Sequence, residues 1–294
     1  MWNSIVNLLL ITGVVSLLSG THAYGKEAEG ATITSYLVKP SSSLVVSPQR
    51  TYPGDAILIR SKQAQSVTLF QKTYPLQLLG GEYVRFIPIP FDTKPGQYVV
   101  QSTDKKWRTA VTVSPKKFAV DSITVSNQMN SMRQNTARIA ADQKKINLAR
   151  SQSAKTPYFQ DPFLWPAQGR LTTPYGYQRV VNGKPANRHT AIDIANKEGT
   201  PIVSSNHGKV ALADTLYLTG NTVMIDHGLN LFSIYAHMSK MDVKPGQLVK
   251  RGQQIGKIGT TGFSTGPHLH YGMLIGNTYI NPAPFFESSP LLWK

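Results

Sequence analysis

The chain has 294 residues, 31 Lys+Arg against 15 Asp+Glu, and a net charge of +16. Hydrophobic residues make up 40%, enough for a packed core and too many for a chain disordered throughout. The absence of cysteine excludes disulfides, thiolate metal ligands and a cysteine nucleophile, so any metal site must be built from His, Asp and Glu.

Residues Leu8 to Leu18 (LLLITGVVSLL) form an apolar run of signal-peptide length, shorter than a membrane span. Thr21-His22-Ala23 follows with small residues suited to signal-peptidase cleavage near Ala23. Residues 1–23 therefore read as a signal peptide, and the expected location is periplasmic or secreted. No charged side chain lies in this segment, so the mature chain keeps the whole +16.

Residues 24–118 read as a small β-sandwich-like domain. Short β-like runs recur at Ala56 to Ile59, Ser66 to Phe70, Tyr83 to Ile87, Tyr98 to Gln101 and Ala110 to Val113. Pro53-Gly54-Asp55, Gly80-Gly81 and Lys94-Pro95-Gly96 supply the turns between them. Residues 119–157 read as a helical linker. Within it, 127–150 is rich in Asn, Gln, Ala, Arg and Lys, with Met129, Met132, Ile139, Ala140 and Ile146 as sparse apolar points. That pattern predicts one solvated helix packing a narrow stripe. From Tyr158 to the end the chain is β-like again, with runs at Ile202-Val203, Thr222 to Ile225, Phe232 to Tyr235 and Gln254 to Ile258. The expected fold class is all-β, with an antiparallel sheet in the C-terminal domain, preceded by the small β-sandwich-like domain and the helical linker.

The charge is uneven. Residues 157–294 hold 12 Lys+Arg against 7 Asp+Glu, and the remainder holds 19 against 8. The basic N-terminal half suits anionic wall polymers or membrane-surface groups. Nucleic acid is not an expected partner, because no recognition motif is present and the chain carries an export signal.

Six histidines remain after residue 23, and four of them fall in three short segments. These are Arg188-His189-Thr190-Ala191-Ile192-Asp193, Ser233-Ile234-Tyr235-Ala236-His237 and Gly266-Pro267-His268-Leu269-His270. On a strand, His268 and His270 share one face with Leu269 behind them. His189 and Asp193 would stand roughly 13 Å apart on a straight strand, too far for two ligands of one ion. His189 must therefore lie in a bend entering a strand that contains Asp193, with Ile192 and Ile194 alternating against it. His207 and His227 each sit in apparent turns and get no role. Spacing alone leaves open which of His268 and His270 is a ligand.

Together the three segments resemble the lysostaphin/LytM-type zinc metallopeptidases. The likeness spans roughly residues 165–286 and includes Gly199-Thr200-Pro201-Ile202 and Lys244-Pro245-Gly246. Ala191 stands where the family often has glycine. The resemblance implies that residues 158–294 are a zinc metallopeptidase domain with an open groove. It implies His189, Asp193 and His270 as ligands of Zn2+, with His237 and His268 as catalytic histidines beside it. It implies an endopeptidase that hydrolyses the cross-links or stem peptides of peptidoglycan through a metal-activated water. The alternative is a non-catalytic wall-binding or hydrolase-activating module, which would be expected to have lost the metal ligands.

Overall fold

The structure, a computed structural model, describes residues 44–293. The signal peptide expected at 1–23 lies outside the described residues. Strands dominate, and the expected all-β class is found.

The N-terminal strands make two sheets. One runs Val45–Ser47, Ala56–Ser61, Glu82–Pro88, Gln77–Leu79; the other runs Arg50–Thr51, Arg108–Val113, Gly96–Ser102, Ser66–Leu69, Lys72–Pro75. Their alternating residues meet in one core that includes Val46, Ile57, Ile59, Val67, Ile87, Val100 and Val111. Ser66–Leu69 alternates in burial, as a half-buried strand does, whereas Ala56–Ser61 is buried along its whole length. The shortest strands, such as Arg50–Thr51, carry too few residues to show a period.

Two differences from expectation follow in residues 119–157. The segment opens with a strand, Val120–Ile123, which pairs in parallel with Gln178–Val181. The single helix expected over 127–150 is two helices, Asn127–Met132 and Thr136–Ala149. Asn135 divides them: its side chain accepts the backbone N–H of Arg138 at 3.1 Å and caps the second helix. Of the expected apolar stripe, Ile146 is the one residue that is buried.

The C-terminal half is built on a ten-stranded sheet. Its central order is Arg170–Thr173, Ile192–Ala195, His268–Ile275, Leu231–Met241, Gly220–Asp226, Gly208–Leu216, Leu248–Val249. The pairings along this path are antiparallel. Side-chain alternation puts His268, His270 and Leu274 on one face, with Phe232, Ile234 and Ala236 of the neighbouring strand. The helix Thr136–Ala149 covers part of that face, with Ile146 packed among Leu212, Met224, Phe232, Ile234 and Leu274. The end of the face that carries the histidines is left open as a cleft of about 470 Å³.

The opposite face is closed over a buried polar network. The Tyr235 hydroxyl receives the Ser205 N–H at 2.8 Å and lies 3.0 Å from Ser233 Oγ; Ser205 Oγ lies 2.9 Å from the Tyr271 hydroxyl. Tyr235 therefore faces away from the cleft. His227 joins this network and is fully buried, with Nδ1 donating to His207 O at 2.8 Å and Nε2 2.7 Å from Ser233 Oγ. Its turn-like sequence context gave no sign of that burial, which comes from the end of a strand being packed under Phe163.

Burial pushes the His227 pKa down to about 4. An unfolded chain takes up this proton below about pH 6.5, whereas the folded chain does so only near 4. Folding stability attached to His227 is therefore complete above about pH 6.5 and is lost as the pH falls toward 4, by a total on the order of 3 kcal/mol. Thermal melts in chelator between pH 7.5 and 4.5 should show a steeper acid slope for the parent chain than for His227→Asn. Parallel slopes would remove this histidine as the cause.

The two halves are stitched by specific groups. The buried Arg60 guanidinium donates to the carbonyls of Leu291 and Trp293, and Asn281 donates to Gly54 O at 2.8 Å and to Asp55 Oδ1 at 2.9 Å. Gly54 has φ +88°, and a Cβ there would lie 2.7 Å from the ring of Tyr175, so the close approach requires glycine. No helix among the described residues is long and apolar enough to cross a membrane.

Candidate metal centre

The strand Ile192–Ala195 begins just after an irregular stretch that holds His189. That bend removes the 13 Å problem: His189 Nε2 lies 3.0 Å from Asp193 Oδ1. Asp193 and His270 are directly opposed on paired strands, and His270 Nδ1 lies 2.9 Å from the same oxygen. The two ring nitrogens face each other at 3.2 Å. His189, Asp193 and His270 are thus a compact set of three donor atoms, and His189 and Asp193 are buried.

His237 arrives by a less regular route. The Leu231–Met241 strand pairs Tyr235 with Val223 and Met238 with Asn221, so an extra residue is accommodated between them. His237 takes up this bulge at φ +61°. Strict alternation from Ala236 would turn His237 to the buried face; the bulge returns it to the cleft. Its ring centroid lies 4.8 Å from that of His268 and 5.7 Å from that of His270. A histidine held at positive φ is uncommon, and such strain concentrates at functional positions.

Both flanking histidines are oriented by backbone. His237 Nδ1 donates to Thr261 O at 2.8 Å, and His268 Nδ1 donates to Gly266 O at 2.8 Å. Each ring therefore carries its proton on Nδ1 and presents the Nε2 lone pair. His268 Nε2 reaches to 3.8 Å from Asp193 Oδ1. The structure brings all five sequence-predicted site residues to one place, while His207 and His227 lie elsewhere.

The electrostatics follow from burial and neighbours. Burial alone would raise the Asp193 carboxyl, but hydrogen bonds from His189 and His270, and their charge, hold it well below the usual carboxylate range. Burial, followed by repulsion from His270 and His268, pushes His237 down to about 3. Burial also lowers His270, against the pull of Asp193.

Sequence reasoning missed one group at the site. Arg179 lines the cleft, and its guanidinium lies 2.8 Å from Asp121 Oδ2 and 3.5 Å from Asp193 Oδ2. Nothing around Gln178-Arg179-Val180-Val181 signals this, because the contact depends on strand pairing across 58 residues. Beyond Asp193 the cleft is bounded by Thr172, Thr173 and Ile123; beyond His237 it is bounded by Leu218, Thr219 and Phe263.

Residues 187–282, which hold all five residues, match peptidase family M23. The chain carries a peptidase M23 domain. Members of the M23 family are zinc metallopeptidases. The domain is 43% identical over 93 residues to peptidoglycan DD-endopeptidase ShyA of Vibrio cholerae, a match covering 32% of this chain and 22% of that protein. It is 37% identical over 123 residues to DD-carboxypeptidase/endopeptidase Mpg of Neisseria meningitidis, covering 42% of this chain and 28% of that protein. The chain thus spans about a quarter of the length of these relatives. A crystal structure of a putative peptidase M23 from Pseudomonas aeruginosa matches more widely, with a TM-score of 0.59, 26% identity, and coverage of 86% of this chain and 97% of that one.

The donor set of the M23 domain fits zinc. Two imidazole nitrogens and one carboxylate oxygen are borderline donors suited to Zn2+, and three protein ligands are the complement of an open catalytic site. Bonds of about 2.0–2.1 Å at tetrahedral angles require donors about 3.3 Å apart. The observed separations are 3.0, 2.9 and 3.2 Å.

Proposed function

We propose that this chain is an exported zinc endopeptidase that hydrolyses peptide bonds of bacterial peptidoglycan, in cross-links or stem peptides. The observation that carries the reading is the His189–Asp193–His270 donor set flanked by two histidines whose Nε2 atoms are aimed by backbone carbonyls. A module that only binds wall has no use for that arrangement. The printed activities of the Vibrio and Neisseria relatives support the choice of substrate. The apolar run Leu8 to Leu18 and the small residues before Ala23 support export to the periplasm or medium.

In this reading His189, Asp193 and His270 hold Zn2+. When bound, zinc supplies Lewis acidity, which polarises a peptide carbonyl and acidifies water. The remaining work belongs to the chain. His268 offers Nε2 to accept a proton from the attacking water. His237 is kept neutral by its depressed pKa, with Nε2 unprotonated. Its Nε2 accepts a hydrogen bond from the attacking water and so orients that water toward the carbonyl. The proton accepted by His268 passes to the leaving amine as the C–N bond breaks. Thr172, Thr173 and Phe263 bound the groove in which an extended peptide would lie.

The basic N-terminal half, with 19 Lys+Arg against 8 Asp+Glu outside residues 157–294, is proposed to hold the enzyme on anionic wall polymers. The test is mass analysis of fragments released from purified peptidoglycan of different chemistries, at low and high salt. New amine and carboxyl termini within the peptide part are expected, with wall retention weakened by salt. Wall binding without any released fragment would favour the non-catalytic module instead.

A further inference from the structure

We propose that Arg179 and Asp121 form a positioning pair that orients the Asp193 carboxylate for metal binding. This rests on the zinc-site reading above. The two oxygens of Asp193 are divided between two sets of partners. Oδ1 faces His189 Nε2 at 3.0 Å and His270 Nδ1 at 2.9 Å. Oδ2 faces Arg179 Nη2 at 3.5 Å. A carboxylate rotates through a broad torsional well, so a contact on Oδ2 is what keeps Oδ1 pointed at the donor set.

Arg179 is itself held. Its Nε and Nη2 donate to Asp121 Oδ2 at 3.1 and 2.8 Å. Asp121 and Arg179 are register partners in the parallel pairing of Val120–Ile123 with Gln178–Val181. The Arg179 and Asp121 side chains are each about four-fifths buried, at 20% and 21% exposure, which limits the freedom of both. The planar guanidinium fork serves two carboxylates at once, which a lysine ammonium on a flexible stem does less well.

Charge gives the second half of the argument. A bare guanidinium beside a site meant for a dication would repel it. Asp121 offsets that charge while leaving the donor geometry intact. Both residues lie outside the 187–282 match, so the orientation of a ligand within it depends on the segment that precedes it. The pair acts through Asp193, not on substrate.

The test measures zinc affinity of the full mature chain by competition with a chelator, alongside metal-free melts and the visible spectrum of the Co2+-substituted protein. Arg179→Gln should lower zinc affinity by about 10–100-fold, the usual scale for groups that orient a metal ligand. Asp121→Asn should lower it as well, and Arg179→Lys should fall between parent and Arg179→Gln. The double variant should lose less than the two single losses combined, since the residues act as one unit. The Co2+ spectrum should change in Arg179→Gln. If melts fall but zinc affinity and spectrum match the parent, the pair only staples two strands and the proposal is overturned. If Arg179→Gln does not fold, Arg179→Lys and Asp121→Asn decide by the same readouts. A parent chain that binds no zinc would instead overturn the proposed function.

Discussion

His270→Ala is expected to lose zinc and turnover together, whereas His268→Ala should keep most of its zinc and lose turnover alone. His270 contributes Nδ1 to the three-atom donor set at 2.9 Å from Asp193 and 3.2 Å from His189. In the proposed site, removing it would take away one of three protein bonds to the metal, so affinity should fall by more than the roughly 10–100-fold seen for outer groups. His268 stands beside the set, with Nδ1 tied to Gly266 O and Nε2 3.8 Å from Asp193 Oδ1. Loss of a group that moves a proton costs about 10²-fold or more in rate without requiring loss of metal. The two residues are two positions apart on one strand face, so general misfolding would affect both variants alike. Melts with and without chelator supply that control, because bound metal stabilises the folded chain. The decisive comparison is zinc content against turnover on purified peptidoglycan. Retention of zinc in His270→Ala with its loss in His268→Ala would reverse the assignment. Retention of zinc and activity in both would place the site elsewhere.

Chelation is expected to abolish peptidoglycan hydrolysis, and added zinc to restore it. Without metal, a carboxylate and two imidazole nitrogens remain packed within 3.2 Å, and Asp193 and His189 stay buried. The groove would still admit substrate, but nothing would polarise the carbonyl. His237 and His268 alone cannot supply that, since both present lone pairs until they gain a proton. Chelation should also lower the melting temperature; zinc at about 1,000 times its dissociation constant contributes about 4 kcal/mol of stability. The measurements are fragment release and melting before chelation, after metal removal and after zinc addition. Full hydrolysis by a rigorously metal-free sample would sink the enzyme reading.

Much of the site was legible because its rules are local. The alternation Ile192/Ile194 placed Asp193 on a strand, and the length of an extended chain forced His189 into a bend, as the structure has it. A period of two placed His268 and His270 on one face, and both line the cleft. The absence of cysteine limited the ligand types before any element was assigned. The choice between His268 and His270 was not local. It turns on which side chain meets Asp193 across 77 residues, and strand register puts His270 directly opposite.

Three further features belonged to tertiary structure alone. His237 faces the cleft because a bulge breaks the alternation that would have buried it, and a bulge is defined by the partner strand, not by the residues that form it. His227 sits in what reads as a turn, yet packing closes over it and makes it a neutral core residue. Arg179 reaches Asp193 while held by Asp121, a contact that exists only once residues 120–123 pair beside 178–181. The sequence by itself determined the residue types, the β class and the faces of single strands, because backbone period and side-chain chemistry act over a few residues. Which faces meet, and so which atoms converge on one point, was decided by register and packing between strands far apart in the chain.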